Sequence, residues 1–235
     1  MVLTNHTATA FDSDLRDLSC MLIEMGSLAR RQVARTIQAL LTADRNTARE
    51  VVETGAHFDT MRKAIEARAV ETIARRQPLA VDLREVLGFL RIASELERIG
   101  DLANSVGKRM LAVCAEELTR AATLGLQHMA DAMSAQLRDV LDSFVRRDVK
   151  MAVEVWAHDE VVDRCCAQLC RELVGRMTQH PHAAASAIQL LFCAKNLERM
   201  GDHATNIAEA VYYMVEGRRI SGERPKADVT STSRQ

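Results

Sequence analysis

The chain has 235 residues, 48% of them apolar, which is enough for one sizeable core or two small ones. Its 31 lysines and arginines stand against 32 acids, a net charge of −1 that argues against a nucleic-acid binder, normally marked by a basic excess. Aromatic residues make up only 3% and there are three prolines, a composition that suits long helices and suits a sheet poorly.

The six cysteines are Cys20, Cys114, Cys165, Cys166, Cys170 and Cys193, and none makes a C-x-x-C pair. Cys166 and Cys170 share a helical spacing, but the group reads as small apolar fillers of a reduced core rather than as a zinc site. The N-terminus has no basic region followed by an apolar run, so no signal peptide is expected. No apolar run approaches the roughly eighteen residues of a membrane span. The expected location is the cytoplasm.

From about Phe11 to Asp44, Leu15, Leu18, Leu22, Met25, Ala29, Val33, Ile37 and Leu40 recur in steps of three and four, the stripe of one buried helix face. Asp44 is a plausible N-cap for a second helix running to about Arg76, where Pro78 stops it. A third runs from about Ala80 to Val113. The second half repeats the first: an offset of 104 maps Met25 onto Met129, Asp44 onto Asp148 and Asp59 onto Asp163. The offset becomes 103 at Pro78/Pro181 and 101 at Glu97/Glu198, so the slippage sits in and just after a hairpin turn. Helices four to six are expected over Glu117–Arg146, Asp148–Gln179 and Ala183–Glu216. The fold class is therefore all-α: two tandem, sequence-related antiparallel three-helix bundles built of six long helices, over residues 11–113 and 117–217. Residues 218–235, rich in Arg, Ser and Thr, read as a flexible tail.

Two segments stand out, Leu96-Glu97-Arg98-Ile99-Gly100-Asp101 and Leu197-Glu198-Arg199-Met200-Gly201-Asp202. Each places two acids one helical turn apart, a repulsive arrangement that a bound cation would reverse. Asp159 and Asp163 lie 22 and 18 residues before Pro181, and Glu198 and Asp202 lie 17 and 21 after it. In an antiparallel hairpin equal distances from the turn mean equal height, so these four carboxylates should converge. Around Pro78, Asp59 faces Glu97, but Gly55 stands where an acid would face Asp101. All-oxygen sites suit hard cations. Pairing with Arg98 and Arg199, or simple exposure to water, would also accommodate the acids, and spacing alone leaves both open. Gly100 and Gly201 inside helices imply close approach of a neighbour. His203, Asn206 and His158 flank the acids as further ligands, supporting partners or ordinary helix residues. No G-x-G-x-x-G, Walker A or G-x-S-x-G occurs, and no histidine has an acid three residues before it, which removes the di-iron enzyme reading.

At these residues the chain resembles the PhoU family of phosphate-signalling regulators, over about residues 11–217. The resemblance rests on Ala74-Arg75-Arg76-Gln77-Pro78 and the residues to Arg84, on the two Glu-Arg-x-Gly-Asp segments, on Asp202-His203-Ala204-Thr205-Asn206 and the residues to Glu209, and on the terminal Val211–Gly217. It implies two similar three-helix bundles whose acidic motifs carry multinuclear clusters in some members. The motifs fall here on Asp159, Asp163, Glu198 and Asp202, and in the first unit on Asp59, Glu97 and Asp101. Gly55 replaces an acid, and Ser105 replaces the asparagine that matches Asn206, so a full cluster is not expected in the first unit. The implied metal is iron, with zinc, manganese and magnesium as alternatives.

The resemblance further implies a non-enzymatic homodimeric regulator that represses the phosphate-starvation response. It would link the ATPase subunit of a phosphate ABC transporter to a sensor histidine kinase at the inner face of the plasma membrane. The alternatives from the carboxylates alone are a metal store, a metal-dependent hydrolase or a plain helical scaffold.

Overall fold

The computed structural model describes residues 2–113, 120–222 and 224. The helical stripes become α1 (Val2–Thr42), α2 (Arg45–Thr54), α3 (Ala56–Arg76), α4 (Val81–Met110), α5 (Arg120–Arg146), α6 (Val149–Ala157), α7 (Glu160–Gln179) and α8 (Ala184–Glu216). A single 3-10 turn, Pro181–Ala183, precedes α8. Residues 114–119, where the fourth helix was expected to begin, lie outside the described residues.

The duplication is visible at the level of caps. α1 ends at Ala43, φ +52°, and Asp44 turns extended to accept from the Asn46 amide at 2.9 Å and the Thr47 hydroxyl at 2.5 Å. In the second half Arg147, φ +55°, and Asp148 repeat the device, Asp148 accepting from the Lys150 and Met151 amides at 3.0 and 3.1 Å. Each cap satisfies helix-end donors at a gain of about 1 kcal/mol. Gly217 closes α8 at φ +73°, a left-handed conformation that glycine adopts without a Cβ clash.

The helices expected over Asp44–Arg76 and Asp148–Gln179 are each divided in two. One break lies at Gly55 and the other at His158–Asp159, and the offset of 104 maps Gly55 onto Asp159. Gly55 and Asp159 keep right-handed helical backbone angles (φ −56° and −54°), while His158 departs from them at φ −93°, ψ 9°, so each break bends the helix without reversing it. Glycine in one unit and aspartate in the other make helix propensity an insufficient cause. What the two bends share is their position opposite the acidic segment of the following long helix.

α4 and α8 share the most extensive helix–helix contact among the described elements and join the two bundles along their length. One continuous core runs through both, including Phe89, Ile92, Leu96 and Ile99 on α4 with Leu197, Met200, Ala204 and Ile207 on α8. The helices approach closely at Gly88, where a Cβ would lie 2.1 Å from Met214 Cγ. Polar ties flank the seam: Arg91 to Glu209 at 3.0 Å, and Arg84 Nε to the Met214 carbonyl at 3.2 Å. Cys166 and Cys193 are buried fillers, Cys165 and Cys170 half-buried, and Cys20 exposed; Cys114 lies outside the described residues. Among the described residues no helix is long and apolar enough to cross a membrane.

Candidate functional site

The second unit's acids meet where α7 begins against the middle of α8. Asp159 sits at the bend before α7, Asp163 in the first turn of α7, and Glu198 and Asp202 one turn apart on α8. Asp159 is 2% exposed and accepts from the Thr205 hydroxyl at 2.7 Å and from Gln136 Nε2 at 3.3 Å. Its other oxygen is taken by Arg224, whose Nε and Nη2 lie at 2.8 and 2.6 Å. The same Nη2 donates to Asp202 at 2.7 Å. One guanidinium therefore joins the two acids that the register about Pro181 places level with each other.

Glu198 receives a different cation. Lys195, one turn back on α8, reaches both its oxygens at 3.0 and 2.9 Å. Even so, burial pushes the Glu198 carboxyl above its ordinary range; Lys195 opposes the shift, and the charges of Asp163 and Asp202 add to it.

Gln136 on α5 supplies a second signal. A carboxylate only accepts, so the amide must turn Nε2 toward Asp159 and Thr205, the latter at 2.9 Å. That orientation leaves Oε1 buried without a hydrogen-bond partner among the described residues, a condition costing about 1–3 kcal/mol. Oε1 faces Gly201, where a Cβ would stand 2.9 Å away. The glycine beside Asp202 thus makes room for an amide oxygen. Gly100, its twin, makes room for the Phe58 ring instead, 2.5 Å from a would-be Cβ.

The first unit is arranged differently. Asp59 is paired with Lys63 at 2.6 Å and Arg62 at 3.5 Å, and Lys63 holds its carboxyl below the ordinary range. Arg62 Nε lies 3.0 Å from Glu97, at ion-pair distance but without hydrogen-bond alignment. Asp101 faces outward and pairs with Arg98 at 3.3 Å, the pairing that the spacing left open. The missing acid at Gly55 is matched by Asn104, whose Nδ2 would lie 2.6 Å from a Cβ there.

His203 and Asn206 turn away from the acids of their own unit. His203 Nδ1 lies 2.7 Å from Glu95 of α4, and Asn206 Nδ2 donates to the same oxygen at 3.1 Å. They tie the two bundles together. His158 is occupied with the Glu154 carbonyl at 2.7 Å.

Sequence reasoning did not single out Arg224, Lys195, Gln136, Thr205 or Glu95. The offset of 104 maps Gln32 onto Gln136, two buried amides, which was a usable signal. Arg224 carried none, since it lies beyond the end of the helical periodicity.

Among the described residues no three side chains of His, Cys, Asp or Glu gather closely enough to hold a metal ion as they stand. By donor chemistry alone, the carboxylate oxygens of the second unit are of the kind that suits hard cations. Asp159 and Asp202 flank the place that the Arg224 guanidinium occupies, and the buried Gln136 amide adjoins Asp159. In the first unit Arg62 and Lys63 already neutralise the acids.

The PhoU domain family matches the chain twice, over residues 22–110 and 126–211. The chain is 43% identical over 227 residues to the phosphate-specific transport system accessory protein PhoU homolog of Rhizobium meliloti, covering 97% of this chain and 96% of that one. It is 39% identical over 229 residues to the homolog of Caulobacter vibrioides, covering 97% and 100%. The crystal structure of PhoU from Pseudomonas aeruginosa superposes with a TM-score of 0.85 at 35% identity, covering 88% of this chain and all of that one. The phosphate transport system regulatory protein PhoU from Streptococcus pneumoniae superposes at 0.83 with 25% identity, covering 90% and 99%.

Proposed function

The chain belongs to the PhoU domain family, and from that premise we propose that it is an accessory regulator of phosphate uptake, not an enzyme. The observation that supports this most directly is the match, over nearly the whole length and through both units, to proteins named as accessories of the phosphate-specific transport system. In the proposed role it contacts the ATPase subunit of a phosphate ABC transporter and a sensor histidine kinase at the cytoplasmic face of the membrane. It holds the starvation response off while phosphate is plentiful. Long helical flanks suit helix-on-helix docking to such partners and to a second copy of the chain.

The second unit's acids, Asp159, Asp163, Glu198 and Asp202, are proposed to hold a metal, iron by the family resemblance, with zinc, manganese or magnesium as alternatives. The bound ion would supply positive charge that the carboxylates lack. The first unit's Asp59, Glu97 and Asp101 are proposed as its weaker counterpart. Deleting the gene tests the regulatory role: alkaline phosphatase and phosphate uptake should rise in phosphate-rich medium, and unchanged levels would refute it. Capture of the protein from membranes at high phosphate should bring the transporter ATPase and the kinase with it. Turnover of a phosphate ester by purified protein, lost in Glu198→Gln, would instead favour the hydrolase reading.

A further inference from the structure

After Gly217 reverses the chain, residues 218–222 run back along α8 and Arg224 enters the carboxylates. Asp202 lies fifteen residues before Gly217, about 22 Å along the helix axis at 1.5 Å per residue. The seven residues from Gly217 to Arg224 span about 23–25 Å when extended. The arm has the length needed to bring the Arg224 side chain to Asp202.

Along its path it covers a cleft of 650 Å³ in which Arg219, Ile220 and Gly222 face Trp156, Tyr213 and Arg91. Trp156 is the chain's sole tryptophan. Arg224 is half-buried, with 18% of its side chain exposed, and both acids it joins belong to the proposed metal set. A guanidinium stays protonated at any ordinary pH, so it can leave this place only by moving.

We propose that the C-terminal arm is a built-in occupant of the second unit's carboxylate site, and that Arg224 and a metal ion exclude one another there. The proposal rests on the metal reading above. An ion bonded to Asp159 and Asp202 at 2.0–2.6 Å would overlap a guanidinium that already sits 2.6 and 2.7 Å from the same carboxylates. Two cations cannot share that volume. Metal loading therefore detaches the arm and uncovers the Trp156 cleft, which converts occupancy at the acids into a change of surface beside α6 and α8. Among the described residues the first unit shows no such device: its cations, Arg62, Lys63 and Arg98, come from α3 and α4 of the same unit.

The test uses the full chain, Arg224→Gln and Arg224→Lys, with Mn²⁺ as the probe in calorimetric titration. Trp156 emission wavelength and the rate of trypsin cleavage after Arg218 and Arg219 report the arm. Removing the competing cation should tighten Mn²⁺ binding by about tenfold in Arg224→Gln, the factor expected if the free site is populated about a tenth of the time in the wild type. Arg224→Lys should fall between. In the wild type, Mn²⁺ should shift Trp156 emission to longer wavelength and speed cleavage, and metal-free Arg224→Gln should already show both. Equal Mn²⁺ affinity in wild type and Arg224→Gln would overturn the competition while leaving the metal reading intact. No Mn²⁺ binding to any of the three proteins would overturn both.

Discussion

The two units share one backbone plan and solve the same electrostatic problem in opposite ways. The offset of 104 maps Arg62 onto Cys166 and Glu66 onto Cys170. In the first unit Arg62 stands between Asp59, Glu97 and Glu66, so the acids are neutralised from within their own hairpin. In the second unit the equivalent pair is two thiols whose sulfurs lie 3.9 Å apart, and thiols bring no positive charge. Lys195 of α8 serves Glu198, and the cation on Asp159 and Asp202 is imported from the C-terminal arm. Two further exchanges complete the difference: Gly55 with Asn104 becomes Asp159 with Thr205, and Phe58 against Gly100 becomes Val162 with Gln136 near Gly201. A duplicated fold has thus paired the acids of one copy from its own helices and tied those of the other to the C-terminal arm, with the Gln136 amide oxygen unsatisfied among the described residues.

The sharpest way to break this contrast is to move the second unit's acid into the first. Gly55→Asp would drive a side chain into Asn104 and bury a carboxylate without a partner, at a cost of about 3–5 kcal/mol. At about 2–4 °C per kcal/mol for this length, Tm should fall by about 10 °C. Adding Asn104→Thr, which recreates the Asp159–Thr205 pair, should recover part of the loss. If Gly55→Asp melts like wild type, the packing account of that corner is wrong.

Exchanging the twin glycines for alanine comes next. Gly100→Ala presses a methyl into the Phe58 ring and should cost about 1–3 kcal/mol. Gly201→Ala meets the tip of one movable amide and gains about 1 kcal/mol of helix propensity, so it should be close to neutral in stability. Urea denaturation of both variants checks the ordering.

Two carboxylates then give pH signatures of opposite sign. Burial raises the Glu95 carboxyl, but the hydrogen bonds from His203 and Asn206 outweigh it and the net shift is downward. A lowered carboxylate stabilises the fold above its unfolded value of 4.5 and loses that contribution as pH falls below it. Glu95→Gln should therefore flatten the acid side of the stability profile and cost about 1–3 kcal/mol at neutral pH. Glu198 is shifted upward, so its charged form weakens the metal-free fold at neutral pH, and stability recovers as pH falls through its raised value. Glu198→Gln should raise Tm slightly at pH 7 in the absence of metal. A fall in Tm there would show that the Lys195 pairing, and not desolvation, dominates.

Much of this was legible in the sequence because helical periodicity and the hairpin prolines carry it. The stripe from Leu18 to Leu40 is buried as spaced, and counting from Pro181 puts Asp159 level with Asp202. The bends at Gly55 and Asp159 were not legible, since an i, i+4 pattern survives a bend at which both of these residues keep helical angles. His203 and Asn206 were placed beside the acids by spacing, yet they face Glu95, because the α4–α8 seam claims that side of the helix. Arg224 was invisible for a simpler reason: a contact made by an irregular arm has no period. The pairing of Gly55 with Asn104 needed the third dimension, although the sequence did mark the corner as unlike its twin.

The second unit should take up a cation ahead of the first. Elemental analysis of protein purified without chelator or affinity metal tests it most directly, comparing Asp163→Asn/Glu198→Gln with Asp59→Asn/Glu97→Gln. Asp163→Asn/Glu198→Gln should lose the metal carried by wild type, while Asp59→Asn/Glu97→Gln should retain it. Metal retained by Asp163→Asn/Glu198→Gln, or lost equally from both variants, would contradict it.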